Sequence, residues 1–303
     1  MTEHVLIGVD IGGTKTSVSI GSLDGTLLAK KAFPTKGSAQ SVVAACYSVI
    51  EELLESQNVS NPLCIGISCG GPLDSDKGLI QSPPNLPGWD NIPIVEYFSK
   101  RFSIPAYLEN DANACALAEW YWGNGKGFDS IVFLTFGTGL GAGLILDGKL
   151  YRGASGLSGE VGHWRMANEG PYCYHKHGSW ESFSSGSGIS ALYYQKTQKH
   201  ASAKHVCDLA QAGDFEALSV IEQSARMLGL GLSLLIDLLN PQRIIIGSIF
   251  SRSESLYRPL MTKVLESECL EGTLGVCKVV PSLLGEQLGD MAALGIARMN
   301  SST

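Results

Sequence analysis

Two stretches of this 303-residue chain share one layout. "VLIGVDIGGTKTSVSIGSLDGTLLAKK" (Val5 to Lys31) and "IVFLTFGTGLGAGLILDGKLYRG" (Ile131 to Gly153) each run from an apolar, β-rich segment through a Gly-Thr turn into a second β-rich segment, then an "LDG" turn. Gly13-Thr14 and Gly137-Thr138 lie 124 residues apart and the "LDG" turns 123 apart, so a single-residue indel aligns them. A second pair follows in the same order: "IEELLESQNVSNPLCIGIS" (Ile50 to Ser68) and "LSLLIDLLNPQRIIIGS" (Leu232 to Ser248) both read as helix, Asn-Pro, strand. Two signals recurring in order indicate a duplicated structural unit.

The local patterns give the class of that unit. Val5 to Asp10, Ile131 to Phe136 and Arg243 to Gly247 are short, apolar and β-branched, with Gly or Pro at their ends, as buried central strands are. Val42 to Glu55, Ala112 to Trp122 and Ala225 to Leu239 have helical character, the last ending before Pro241. The prediction is a duplicated α/β fold, each half a sheet of mixed direction with helices packed on it, and a cleft between the halves. A smaller N-terminal domain is expected over 1–115 and a larger one over 116–289, with a helix from about 290 to 303 returning to the first.

Charge and cysteine usage narrow the partners. The net charge of −7 lacks the basic excess with which nucleic-acid binders neutralise phosphates, so no nucleic acid is expected. The eight cysteines sit mostly in apolar runs such as "LCIGISCGG", which fits buried free thiols and a cytoplasmic location. The opening "MTEHVLIGVDIGG" has no basic leader, and no stretch reaches the roughly 18 apolar residues of a membrane span.

Glycine turns let backbone N–H groups approach an anion, and Thr and Lys beside them add donors and charge. "DIGGTKT" and "FGTGLGAG", at equivalent places in both halves, suit a clamped polyphosphate, although the second alone is equally a tight β-hairpin without a ligand. As a dinucleotide fingerprint the second turn is weak, because "LILDGK", a strand and turn, follows where that motif needs a helix, and no Walker sequence is present. Asp10 ends a buried strand beside the first turn, where it serves either as a turn cap or as a carboxylate for phosphate-bound Mg²⁺. In "IPAYLENDANACALAEW" a strand passes directly into a helix capped by Asn110 or Asp111. Capping accounts for one such residue; Glu109, Asn110, Asp111 and Asn113 together at a strand's C-terminal end also suit a general base acting on a sugar alcohol.

"DIGGTKT", "NDANACALAE", "FGTGLGAG" and "GEVGH", in this order and spacing, resemble the ROK family of bacterial sugar kinases and related repressors, and the resemblance covers nearly the whole chain. It implies a duplicated ribonuclease-H-like fold of the actin and hexokinase type around an ATP and sugar cleft. By position it implies that Gly12, Gly13, Thr14, Lys15, Thr138 and Gly139 bind ATP phosphates, with Asp10 near Mg²⁺. Asp111 matches the catalytic base; Asn110, Glu160, His163 and Glu181 match sugar contacts, with Gly71 and Asn85 further pocket wall. "PNLPGWDNIPI" resembles the glucokinase branch, so glucose is the expected acceptor; N-acetylmannosamine, fructose, allose and N-acetylglucosamine are the alternatives. A homodimer is implied as well. A sugar-sensing repressor would carry an additional N-terminal helix-turn-helix, for which Val5 as the first strand residue leaves no room, and a catalytically silent sugar-binding protein is the third class.

One segment departs from the family pattern. Where the family has a histidine and a "CxCGxxGCxE" loop that hold a structural Zn²⁺, this chain reads Cys173-Tyr-His175-Lys-His177-Gly-Ser179-Trp-Glu181, one residue shorter, with Ser at the last cysteine position. His163, Cys173, His175 and His177 form an N/S set of a kind zinc accepts, and in an extended loop residues 173, 175 and 177 would point to one side. Three ligands at every second residue crowd a tetrahedron, and the other reading is a metal-free loop.

Overall fold

The computed structural model describes residues 4–301. The chain forms two compact units, one made of the chain up to Lys126 and from Glu286 onward, the other Gly127–Gly285.

In the first unit, β1 (Val5–Ile11), β2 (Lys15–Ser22) and β3 (Leu27–Pro34) form an antiparallel meander. Helix α1 (Ala39–Ser56), capped by Ser38, returns the chain to β4 (Ile65–Cys69), which lies parallel to β1. A small hairpin of β5 (Leu73–Asp74) and β6 (Leu79–Ile80) precedes α2 (Ile94–Phe102) and β7 (Ala106–Asn110), parallel to β4. Helix α3 (Asp111–Trp122) follows without a loop. The sheet order is β3-β2-β1-β4-β7.

The alternation along β1 decides what covers each face. Val5, Ile7, Val9 and Ile11 belong to a core with Val42, Val43, Ile50 and Phe98 of α1 and α2. The other face carries Gly8, which is paired with Gly66 of β4. A Cβ on Gly66 would lie 2.1 Å from the carbonyl oxygen of Ala293, so the two glycines form a flat strip onto which the C-terminal helix docks. Asp10, two residues beyond Gly8, faces the same side.

The second unit repeats the plan. β8 (Ile131–Phe136), β9 (Leu140–Leu146) and β10 (Lys149–Leu150) form the meander. A hairpin of β11 (Tyr172–Cys173) and β12 (Lys176–His177) leads through α4 (Trp180–Phe183), α5 (Gly186–Thr197), α6 (Ala203–Gln211) and α7 (Phe215–Leu239) to β13 (Arg243–Ile246), parallel to β8. α8 (Ile249–Glu268) and α9 (Glu271–Val276) precede β14 (Lys278–Pro281), and the sheet order is β10-β9-β8-β13-β14. α7 ends at Asn240, whose left-handed φ of 44° stops the helix before Pro241. α10 (Leu288–Asn300) then completes the first unit, packing on β1, β4 and α3.

Both sheets have the same order and the same pattern of directions, which is the ribonuclease-H-like arrangement expected from the repeated turns. A division at 115/116 would cut α3 in its middle; Leu117 and Ala118 of that helix pack against Gly295 of α10, so the first unit continues to Lys126. All eight cysteines are free thiols. Among the described residues, no helix is long and apolar enough to cross a membrane.

Candidate active site

In the first unit, the carboxyl ends of three parallel strands bring the acidic and amide residues together. Register pairs Asp10 of β1 with Ser68 of β4, Ser68 with Glu109 of β7, and Cys69 with Asn110. Ligands collect at this edge of an open α/β sheet, because the chain turns away there and leaves backbone and side-chain groups unshielded.

Glu109 is 1 % exposed and its Oε1 accepts from Asn110 N and Asn113 Nδ2, each at 3.0 Å, so it braces the strand-to-helix corner. Asn110 is the N-cap of α3, its Oδ1 accepting from Ala112 N at 2.9 Å. Asp111, the first residue of α3, is exposed, with Oδ1 also accepting from Ala112 N at 2.8 Å. Asp111 Oδ2 lies 3.9 Å from where a Cβ on Gly70 would stand, and Asn110 Nδ2 3.7 Å from that point on Gly71.

Asp10 is partly buried, and burial carries its carboxyl from 3.8 to about 7; the Ser68 hydroxyl opposes the rise, Asp111 and Asp290 add to it and Lys15 opposes it. Asp290, at the start of α10, is held by Ser17 Oγ at 2.7 Å and Lys30 Nζ at 2.9 Å. Asp10 is a hard-oxygen carboxylate of the kind Mg²⁺ takes one or two of alongside phosphate oxygens and water, whereas Asp290 is already held by Ser17 and Lys30.

The first glycine turn is a closed hairpin. Gly12 N donates to Lys15 O at 3.0 Å, and the Thr35 hydroxyl donates to Gly12 O at 2.7 Å, so that backbone amide is occupied, while Gly13, Thr14 and Lys15 are exposed. Asn85 packs on the turn: a Cβ on Gly13 would stand 2.6 Å from the Asn85 carbonyl oxygen. Trp89 of "PGW", 2 % exposed, is a core residue under α2.

In the second unit the turn Gly137–Thr138–Gly139 is tied to the start of α5: Gly186 N donates to Gly137 O at 2.7 Å, and Ser187 Oγ to Thr138 O at 2.9 Å. Beside it opens a cavity of about 640 Å³ into which the N-termini of α5, α6 and α8 all lead, through Gly186, Ser202 and Ser248. The dipoles of three helix N-termini favour negative charge, although the first amides of α5 are already paired with Gly137 O, Thr138 O and the Ser185 hydroxyl. Apart from Thr138, sequence reasoning missed this cavity. Its local signals were the capping serines Ser185 and Ser202, ordinary in any helical protein.

"GEVGH" clamps onto β9. Ala142 N donates to Gly159 O at 2.8 Å, and a Cβ on Gly159, whose φ is +85°, would meet Ala142 O at 1.9 Å. This fixes the backbone and leaves Glu160 and His163 exposed. Glu181, at the start of α4, points back to the same strand, with Oε2 accepting from Leu140 N at 2.8 Å.

The four candidate zinc ligands do not converge. Tyr174 and His175 have φ of +54° and +58° and form the two-residue turn of the β11–β12 hairpin, pairing Cys173 with Lys176 and Tyr172 with His177. The segment is therefore not extended through 173–177, and Cys173 and His177 fall on opposite faces. Cys173 Sγ donates to Glu181 Oε1 at 3.4 Å, His177 Nδ1 is 2.8 Å from Gly170 O, and His175 is exposed at the tip. Burial, then Glu181, pushes the Cys173 thiol up to about 11 in the metal-free protein. Ser179, at the family's last cysteine position, is buried and caps α4. Among the described residues, no three His, Cys, Asp or Glu side chains are grouped to hold a metal ion.

Comparison with known proteins decides the family: the pattern of the ROK family matches residues 6–299. The chain belongs to the ROK family. A glucokinase of Thermotoga maritima is 34% identical, the alignment covering 98% of this chain and 98% of that protein. Among solved structures, a ROK hexokinase from Thermus thermophilus has a TM-score of 0.87 at 31% identity, over 96% of this chain and 97% of that one. A ROK family glucokinase from Streptomyces griseus, in complex with glucose and AMPPNP, has a TM-score of 0.80 at 28% identity, over 98% and 100%. The ROK fold accounts for the two like sheets and for the position of "NDANACALAE" at a strand-to-helix corner.

Proposed function

We infer that this ROK-family chain is an ATP-dependent hexose kinase that converts glucose to glucose 6-phosphate. The observation that carries the chemistry is Asp111, an exposed carboxylate fixed at the first turn of α3 beside Asn110 and near Asp10. Full-length similarity to a glucokinase supports glucose as the acceptor.

In the proposed reaction Asp111 takes the proton of the sugar hydroxyl, the oxygen forms a bond to the γ-phosphorus of ATP, and the bond from that phosphorus to the ADP oxygen breaks. Asn110, Glu160, His163 and Glu181 orient the sugar hydroxyls, with Gly71 and Asn85 as pocket wall. Gly13, Thr14 and Lys15 of the first turn and Thr138 and Gly139 of the second bind phosphate, while Gly12, whose amide is taken by Lys15 O, shapes the first turn rather than contacting phosphate. The cavity at the three helix N-termini, with a volume in the range of small-molecule pockets, suits the rest of the nucleotide. Asp10 would be among the residues that hold Mg²⁺, whose charge would neutralise the phosphates. Eight free cysteines support a reducing, cytoplasmic setting, and family membership supports a homodimer, which sedimentation of the purified protein tests.

The deciding experiment is ADP release from ATP and Mg²⁺ across a panel of glucose, fructose, allose, N-acetylmannosamine and N-acetylglucosamine. Turnover is expected to be fastest with glucose. A faster N-acetylhexosamine would reassign the acceptor, and silence across the panel would leave a sugar-binding regulator.

A further inference from the structure

On the hexose-kinase reading, we propose that Tyr174 is a positioning residue for the sugar site, holding Glu181 and His163 by hydrogen bond and ring stacking where the family's cysteine loop uses a metal. Tyr174 is the first turn residue of the β11–β12 hairpin, and its φ of +54° is a conformation that bulky residues rarely adopt. Its two ends are both engaged. The ring stacks on the His163 imidazole, with centroids 3.6 Å apart and planes at 23°. The hydroxyl donates to Glu181 Oε2 at 2.6 Å.

The same Oε2 accepts from Leu140 N at 2.8 Å, so one carboxylate oxygen is pinned between the β9 backbone and the hairpin. The other, Oε1, meets the weak thiol donor Cys173 at 3.4 Å and keeps capacity for a sugar hydroxyl. The hairpin is anchored apart from these contacts: Lys176 Nζ donates to His163 O, and Arg165 Nη1 to His177 O at 2.9 Å. Tyr174 thereby links the "GEVGH" motif to Glu181, two elements that meet at β9 but are separate in sequence. Coordination needs converging ligands, which this hairpin does not present; a phenol and a stacked ring do not need them.

The test uses the full-length protein and Tyr174→Phe, which keeps the ring and removes the hydroxyl. Loss of the hydrogen bond to the Glu181 carboxyl group is expected to raise the KM for glucose about tenfold or more, with kcat within about twofold. The KM for ATP and the melting temperature stay unchanged. In a Glu181→Gln background, Tyr174→Phe is expected to have a much smaller effect, because the two act through one contact. An unchanged glucose KM overturns the proposal; so does a lowered melting temperature with both KM values shifting alike, which marks a folding residue. Purified wild-type protein is expected to hold substoichiometric zinc and to keep its melting temperature in 1,10-phenanthroline. One zinc per chain, with a melting temperature that falls on its removal, overturns the proposal whatever the activity. Wild-type protein silent on every hexose overturns the kinase reading instead, and the metal measurement still decides whether the hairpin stands without zinc.

Discussion

Replacing Asp10 by Asn is expected to make the ligand-free protein more stable at neutral pH while removing its activity. Burial is the main reason that the Asp10 carboxyl rises from 3.8 to about 7. At 1.36 kcal/mol per pH unit, ionised Asp10 therefore costs the folded state up to about 4 kcal/mol. The sign follows from linkage. A carboxyl raised on folding leaves stability intact below pH 3.8, where both states are protonated. Stability is lost as pH rises from 3.8 to about 7, and the loss is complete above that. Asn has nearly the same shape, can still accept from Ser68 and carries no charge, so the variant escapes the loss.

Urea unfolding of both proteins in metal-free buffer from pH 3.5 to 8.5 checks this. The curves are expected to coincide near pH 3.5 and to separate by about 2–4 kcal/mol in favour of Asp10→Asn by pH 8. Saturating Mg²⁺ and nucleotide should narrow the gap for wild type alone, because a cation that binds the ionised form stabilises only the folded state. A gap independent of pH, or a wild type at least as stable as the variant at pH 8, would refute the assignment of Asp10 as a carboxylate held at a cost in stability.

Four further outcomes are expected. Asp111→Asn should fold normally, still bind glucose by calorimetry, and lose about 10² to 10⁴ in kcat, the usual cost of a missing general base; retained turnover would remove Asp111 from the role. Gly66→Val should destabilise the first unit by about 1–3 kcal/mol or prevent its folding, since even its Cβ would lie 2.1 Å from the Ala293 carbonyl oxygen, read by thermal melts. Trp89→Ala should cost about 3–5 kcal/mol as a core deletion, whereas a specific glucose-selecting role would appear as a changed substrate ranking in a protein of normal stability. Ser187→Trp, at the cavity beside Thr138, should raise the KM for ATP at least tenfold and leave that for glucose unchanged, the discrimination expected if the nucleotide occupies that cavity.

The fold was legible because its signals are local and repeated. Apolar β-branched runs between glycine turns define β1, β8 and β13, and two "LDG" turns end β2 and β9 at equivalent places in the two sheets. Asn110 as the cap of α3 follows from residue type and position alone. Other features depended on partners distant in sequence. Nothing near Gly8 or Gly66 announces that α10, more than 200 residues further on, covers both. The cavity at three helix N-termini has no sequence motif, because it gathers residues such as Ser187 of α5, Lys204 and Asp208 of α6 and Arg252 of α8 from separate parts of the chain.

The segment around Cys173 shows why a ligand set cannot be read from spacing unless the backbone conformation is known. Placing residues 173, 175 and 177 on one side assumes extended backbone, for which side chains alternate with period two. A two-residue turn breaks that period, and turns of this kind ordinarily announce themselves by Gly, Asn or Asp. Here Tyr174 and His175 occupy the turn with left-handed φ, so the usual signal is missing. Such a conformation costs about 1–3 kcal/mol per residue and persists where surrounding contacts over-determine it. The stacking on His163 and the hydrogen bond to Glu181 are contacts of that kind, and both involve residues that sequence reasoning had placed against the sugar. A tyrosine in an unfavourable turn conformation, held by two candidate substrate contacts, is better explained by the geometry it imposes on them than by the stability of the hairpin itself.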